Sequence, residues 1–174
     1  MNRRSTQAVI AGVISIMLAA ARVAVAGGDD DDGGDVRARL KGFEEVPAVS
    51  TVASGRFEAE IDRSEQRIDY TLTFRDLEAG VLFTHIHFGQ RTANGGVSAF
   101  LCGGGSKPPC PQSGTVEGTI VPADVIGPAD QGIAAGEFDE LVRAIRAGVT
   151  YANVHSQKFP GGEIRGQISG GDDD

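Results

Sequence analysis

An all-β domain, built as an antiparallel β-sandwich or a Greek-key barrel with one or two short helices, is what this sequence predicts, on three observations. Apolar and polar residues alternate with period 2 in eight short segments. Gly, Pro, Asn and Asp separate those segments, as turns between half-buried antiparallel strands require. Helical periodicity is concentrated in one stretch, which fits a helix laid over a sheet better than a helical bundle.

The chain opens on an export signal at 1–26. Arg3 and Arg4 form a basic start, "AVIAGVISIMLAA" is apolar, and "AVA" at 24–26 offers small residues for cleavage. Arg22 interrupts the apolar run short of the ~20 residues that a spanning helix needs, so stable membrane insertion is not expected once the signal is removed. An acidic linker, "GGDDDDGGD" (27–35), and an acidic tail, "GGDDD" (170–174), frame one domain at 36–169. Neither acidic run has the spaced ligands and turn glycine of a dedicated calcium loop.

Within the domain the predicted strands are 36–43, 54–62, 66–75, 82–88, 96–101, 114–121, 149–155 and 163–168. "RIDYTLTF" states the pattern most clearly: Ile68, Tyr70, Leu72 and Phe74 point one way, and Asp69, Thr71 and Thr73 the other. "PADVIG" (122–127) starts with Pro and carries an acid in its first turn, as short helices do. In "GEFDELVRAIRAG" Phe138, Leu141, Val142 and Ile145 fall at i, i+3, i+4 and i+7, giving one apolar helical face, and Gly148 is its predicted stop.

Cys102 and Cys110 bracket "GGGSKPP". In an exported chain two such cysteines are expected to form a disulfide, contributing roughly 2 to 3 kcal/mol because the loop they close is short. Their spacing fits neither a C-x-x-C redox pair nor a usual zinc pattern.

Charge narrows the partners. The formal net charge of −8 becomes −11 once Arg3, Arg4 and Arg22 leave with the signal. Such a balance argues against nucleic acid, whose phosphates select clustered Lys and Arg, and against adhesion to anionic lipid. The expected partner is a protein or a small ligand, met in the periplasm or outside the cell.

The chemistry lies in the histidines. Two of the three stand in "FTHIHFGQ" and the third in "YANVHSQKFPGGEIRG". Residues two apart on a strand share a face, so His85 and His87 project side by side. Tyr151, Asn153 and His155 share a face in the second stretch, and Glu163, Arg165 and Gln167 share one beyond the turn. If these segments are neighbours, His85, His87, His155 and Glu163 converge, and three imidazoles with a carboxylate suit Cu or Zn. The competing structural role is a polar strand face under a loop, with the histidines bonding backbone carbonyls or Glu163.

"LKGFEEVPAVSTVASGRFEAEID", "FTHIHFGQRTANGGV" and "AGVTYANVHSQKFPGGEIRGQI", in that order and spacing, resemble the successive blocks of the CHRD domain, the module named after chordin and found singly in many exported bacterial proteins. The resemblance spans 40–168. The matching positions are His85, His87, Asn94, Gly95, Tyr151, Asn153, His155, Gly161, Gly162, Glu163 and Arg165. It implies an all-β extracellular module and carries over neither a partner nor a catalytic residue.

The residues therefore support two functional readings. The first is an exported, non-catalytic binding or structural module. The second is a metalloprotein holding one Cu or Zn ion through the three histidines and Glu163, for storage or redox chemistry. A two-metal dismutase site is excluded by the count of histidines. Hydrolysis finds no G-x-S-x-G elbow or H-E-x-x-H pair to carry it.

Overall fold

A computed structural model describes residues 33–64 and 66–170; the predicted export signal, most of the acidic linker and all but the first residue of the acidic tail lie outside them. The strands are β1 (Gly33–Lys41), β2 (Ser54–Asp62), β3 (Arg67–Arg75), β4 (Val81–Phe88), β5 (Gly96–Cys102), β6 (Gly114–Ile120), β7 (Thr150–Ser156), β8 (Ile164–Gln167) and β9 (Ser169–Gly170). They form one antiparallel sheet in the order β5-β4-β7-β8-β1-β2-β3-β6, with β9 paired to β1. The sheet curls into a nearly closed barrel, so of the two predicted architectures the barrel describes the molecule. Of the predicted strands, 54–62 keeps both bounds, and most of the others shift by one residue at an end. Strand 36–43 starts at Gly33 and gives way to a 3-10 turn at Gly42–Glu44, and the 122–127 turn is a 3-10 turn over Pro122–Asp124.

Period-2 alternation sorts the residues as the sequence anticipates. Leu40, Phe57, Ile61, Ile68, Leu72, Phe74, Ile86, Leu101, Val154 and Ile164 pack inside the barrel at 2% exposure or less. Burying each such side chain contributes about 1.5 to 3 kcal/mol. The one α-helix among the described residues, α1 (Phe138–Arg146), buries Phe138, Leu141, Val142 and Ile145 in the same core. It stops where Gly148 adopts φ +66°, the left-handed conformation that costs glycine least.

Two devices close the barrel between its unpaired ends, β5 and β6. The Tyr70 hydroxyl on β3 donates to the Leu101 carbonyl on β5 at 2.7 Å, passing behind Gly118 of β6. Burial, reinforced by the Asp124 charge, pushes the Tyr70 phenol up to about 12, so it stays a donor. Lys107, on the loop closed by the Cys102–Cys110 disulfide, donates to the Thr119 carbonyl of β6 and pairs with Asp124.

The strands β4, β7 and β8 are covered on both faces. Every residue of β7 is buried. The inner face meets the core, and the outer face lies under two loops, 42–53 and 89–95, which is where the histidines stand.

Tyr70→Phe is expected to lower the unfolding free energy by about 1 to 3 kcal/mol, since it strands the Leu101 carbonyl. A β-carbon on Gly118 would come within 2.4 Å of the Tyr70 hydroxyl oxygen. Gly118→Ala should therefore cost less in the Tyr70→Phe background than in the wild type. Urea unfolding of the four proteins measures this coupling, and additive effects would show that the two positions do not meet.

Candidate functional site

The register builds the site. His85 lies opposite Asn153 and His87 opposite Tyr151 across β4 and β7, while Phe83 lies opposite His155. Asn153 in turn faces Arg165, and Tyr151 faces Gln167, across β7 and β8. One outer face thus carries Phe83, His85, His87, Tyr151, Asn153, His155 and Arg165. The three histidines are 4%, 8% and 5% exposed, in chain order. One nitrogen from each ring lies within 4.8 Å of the others.

Hydrogen bonds set the tautomers. His87 Nδ1 lies 2.9 Å from the Gly95 carbonyl and His155 Nδ1 lies 2.9 Å from the Pro160 carbonyl. A carbonyl only accepts, so both rings carry their proton on Nδ1 and keep a lone pair on Nε2. His87 Nε2 accepts from His85 Nδ1 at 2.8 Å. His155 Nε2 is buried with no hydrogen-bond partner. Two rings therefore present lone pairs to a common space, and the third needs only a change of tautomer to do the same. Ligating histidines are held in just this way, by an outer partner on the other ring nitrogen.

Glu163 does not join them. Among the described residues the converging donors are the three imidazoles. The Glu163 carboxylate is instead drawn toward the 42–53 loop and the start of β4: its Oε1 accepts from Thr51 Oγ1 and from the Glu78 N–H, both at 2.9 Å. It stands in the turn ahead of the strand, since β8 begins only at Ile164.

The remaining predicted positions hold the loops down on this face. Arg165 donates to the carbonyls of Glu44, Ala93 and Arg91 and to Asn94 Oδ1. Its guanidinium lies 4.4 Å from the Tyr151 ring centre. Tyr151 stacks on His87 at 4.7 Å and 7°, and its hydroxyl accepts from the Gly95 N–H. Asn94 also donates to the Val46 carbonyl, joining the two loops. Asn153 donates to Glu45 and to the Ile164 carbonyl. Gly162, at φ +126°, leaves room for Glu45, whose carboxylate a β-carbon there would meet at 2.7 Å. Gly161 has open space around it.

Three contributors escaped the sequence reading. Phe83 packs against His85 and His155, with ring centres 5.0 and 4.8 Å away, and Phe100 packs edge-on to His85 at 5.0 Å. Phe83 has the parity of His85 and His87, so alternation alone could have placed it there. Glu45, one of two adjacent acids in "FEEVP", is the buried one; nothing local distinguishes it from Glu44.

Burial dominates the electrostatics. It lowers His85 to about 2, helped by His155 and His87. It lowers His155 to about 4 against the favourable Pro160 bond, and it lowers His87 against the Gly95 bond. Burial raises Glu45 to about 7 in spite of the Asn153 bond and the Arg165 charge.

Comparison with known proteins gives one match: the CHRD domain family model covers residues 36–168. No curated protein and no solved structure matches the chain.

The shifts fix a pH dependence. A histidine with a depressed folded value stabilises fully above its unfolded pKa, near 6.5, and loses that contribution as pH falls through the folded value. Glu45, raised from 4.5 to about 7, acts oppositely, stabilising below 4.5 and losing its contribution as pH rises through 7. Between the two unfolded values three histidines oppose one glutamate. The unfolding free energy of the metal-stripped protein should fall from pH 6.5 to 4.5, by up to about 1.4 kcal/mol per pH unit for each unbalanced proton. Glu45→Gln should steepen the fall. Denaturant titrations at stepped pH measure both, and a flat profile would contradict this account.

Proposed function

The chain belongs to the CHRD domain family, and from that premise we propose that it is an exported, non-catalytic module that binds one transition-metal ion through His85, His87 and His155. The observation that carries this reading is the convergence of three buried imidazoles, one nitrogen from each within 4.8 Å of the others, with His155 Nε2 buried and without any hydrogen-bond partner. A buried polar atom costs about 1 to 3 kcal/mol when unsatisfied. A purely bracing role gives no return for that cost, whereas a metal ion does. The outer bonds to Gly95 and Pro160 fix the rings as a second coordination sphere fixes ligands.

Export is supported by the Cys102–Cys110 disulfide, since such bonds persist in oxidising compartments. No helix among the described residues is long and apolar enough to cross a membrane. The family contributes the expectation of an extracellular setting. The acidic balance disfavours nucleic acid as a partner.

The mature chain, purified without a polyhistidine tag and analysed for metal by mass spectrometry, is expected to hold one ion per molecule. His85→Ala and His155→Ala should each lower the affinity by more than the roughly 10- to 100-fold typical of losing an outer partner, with the circular dichroism spectrum unchanged. Absence of tight binding across copper, zinc and nickel would refute the assignment.

A further inference from the structure

We infer that the histidine cluster selects the monovalent ion Cu(I) over divalent ions, with Arg165 and the aromatic rings around the imidazoles imposing the choice; this rests on the metal-binding reading above. Imidazole nitrogen does not itself discriminate, being a good ligand for zinc and for copper. The selection falls on charge and on coordination number.

The ligand set brings no negative charge. The converging donors are three imidazoles, and the Glu163 carboxylate is engaged by Thr51 and Glu78. The three imidazoles that would hold the ion are themselves 8% exposed or less. The cost of taking an ion out of water scales with the square of its charge, so a divalent ion pays about four times what a monovalent one does.

Arg165 adds a fixed positive charge on the same face. Its guanidinium stays protonated, and it is separated from His87 only by the Tyr151 ring, at 4.4 Å on one side and 4.7 Å on the other. At roughly 10 Å, with an effective dielectric of about 20, a second unit of charge on the ion lowers affinity by about tenfold. The buried Glu45 carboxylate, on which this charge acts, is bonded to Asn153, and burial holds it partly protonated near neutrality, so it offsets this charge incompletely.

Coordination number points the same way. Phe83, Phe100 and Tyr151 pack hydrocarbon against the imidazoles, and among the described residues no carboxylate or thiolate converges with them as a fourth donor. Zinc in structural sites is four-coordinate and Cu(II) prefers a tetragonal ligand field. Cu(I), with a closed d shell, is satisfied by two or three ligands. A site tighter for Cu(I) than for Cu(II) also resists oxidation of the bound ion, since the two affinities and the redox equilibrium form one cycle.

The test uses the full mature chain, untagged and stripped of metal. Cu(I) is titrated anaerobically against a Cu(I)-specific chromogenic chelator, and Zn(II) and Cu(II) against chelators of matched strength. Cu(I) should bind at least about a hundredfold more tightly than Zn(II), from the combined charge terms. Phe83→Asp, at a partly exposed position beside His85 and His155, supplies the missing carboxylate and should move the Cu(I)-to-Zn(II) affinity ratio toward zinc by about tenfold or more. Zn(II) or Cu(II) held as tightly as Cu(I), or a ratio that Phe83→Asp leaves unchanged, would overturn the inference and leave metal binding standing. Failure of all three ions to bind would overturn both.

Discussion

A buried guanidinium whose hydrogen bonds, among the described residues, all go to neutral oxygens sits under the loops of this protein, and the outer face of the barrel is organised around it. Arg165 is 2% exposed and spends its hydrogen bonds on neutral oxygens from two separate loops, Glu44 on one and Arg91, Ala93 and Asn94 on the other. A buried charge left without acceptors is costly, so the loops cannot lift away independently of it. Because β8 is a rigid strand in the barrel wall, those bonds fix the position of Gly95, and with it the carbonyl that sets the tautomer of His87. They also seat the loop that delivers Glu45 to Asn153. His87 is thus oriented by a loop that is itself held by one residue of a neighbouring strand, while His155 is oriented by the turn that carries Pro160.

That arrangement explains why polar side chains occupy β7, whose every position is buried, and the mostly buried β4 and β8 beside it. In a barrel the inward face is the core, and the outward face normally meets water. Here the outward face of β4, β7 and β8 meets the loops, and the desolvation that follows is balanced by hydrogen bonds to His87, Asn153, Gln167 and Arg165. The balance is incomplete at His155 Nε2 and Glu163 Oε2. The first faces other histidines and invites a ligand. The second belongs to a carboxylate already engaged by Thr51 and Glu78, and it marks the join between the loop and β4.

What the sequence disclosed follows the range over which each signal acts. Alternation is local and sterically enforced, which is why β2 emerged with its bounds intact and why His85 and His87 could be assigned to one face, whereas the place of His155 beside them depends on the pairing of β4 with β7. The helix over 138–146 was equally legible, since its apolar stripe is a property of nine consecutive residues. The two-residue β9 has no such pattern. It exists because it adjoins β1, and only tertiary contact reveals it. Glu163 was misgrouped for a related reason: it stands in the turn ahead of β8, and its partners Thr51 and Glu78 reach it through tertiary contact. Glu45 illustrates the opposite failure, since its burial depends on Gly162 lacking a side chain 117 residues away, a relation no local pattern contains.

Desolvation decides what this face can hold. Protons and metal ions compete for the same imidazole lone pairs, and burial weakens the hold of both because each brings positive charge into a poorly solvated space. The competition is nevertheless unequal. A proton satisfies one nitrogen and leaves the other two rings facing a new cation, the repulsion that depresses His85 through His155 and His87. A single ion satisfies all three nitrogens at once and spreads its charge over the three rings. The two rings already fixed by Gly95 and Pro160 lose no orientational freedom when it enters. Preorganisation of the lone pairs, maintained by the loop that Arg165 holds at Gly95 and by the turn at Pro160, would therefore favour a metal ion over a proton.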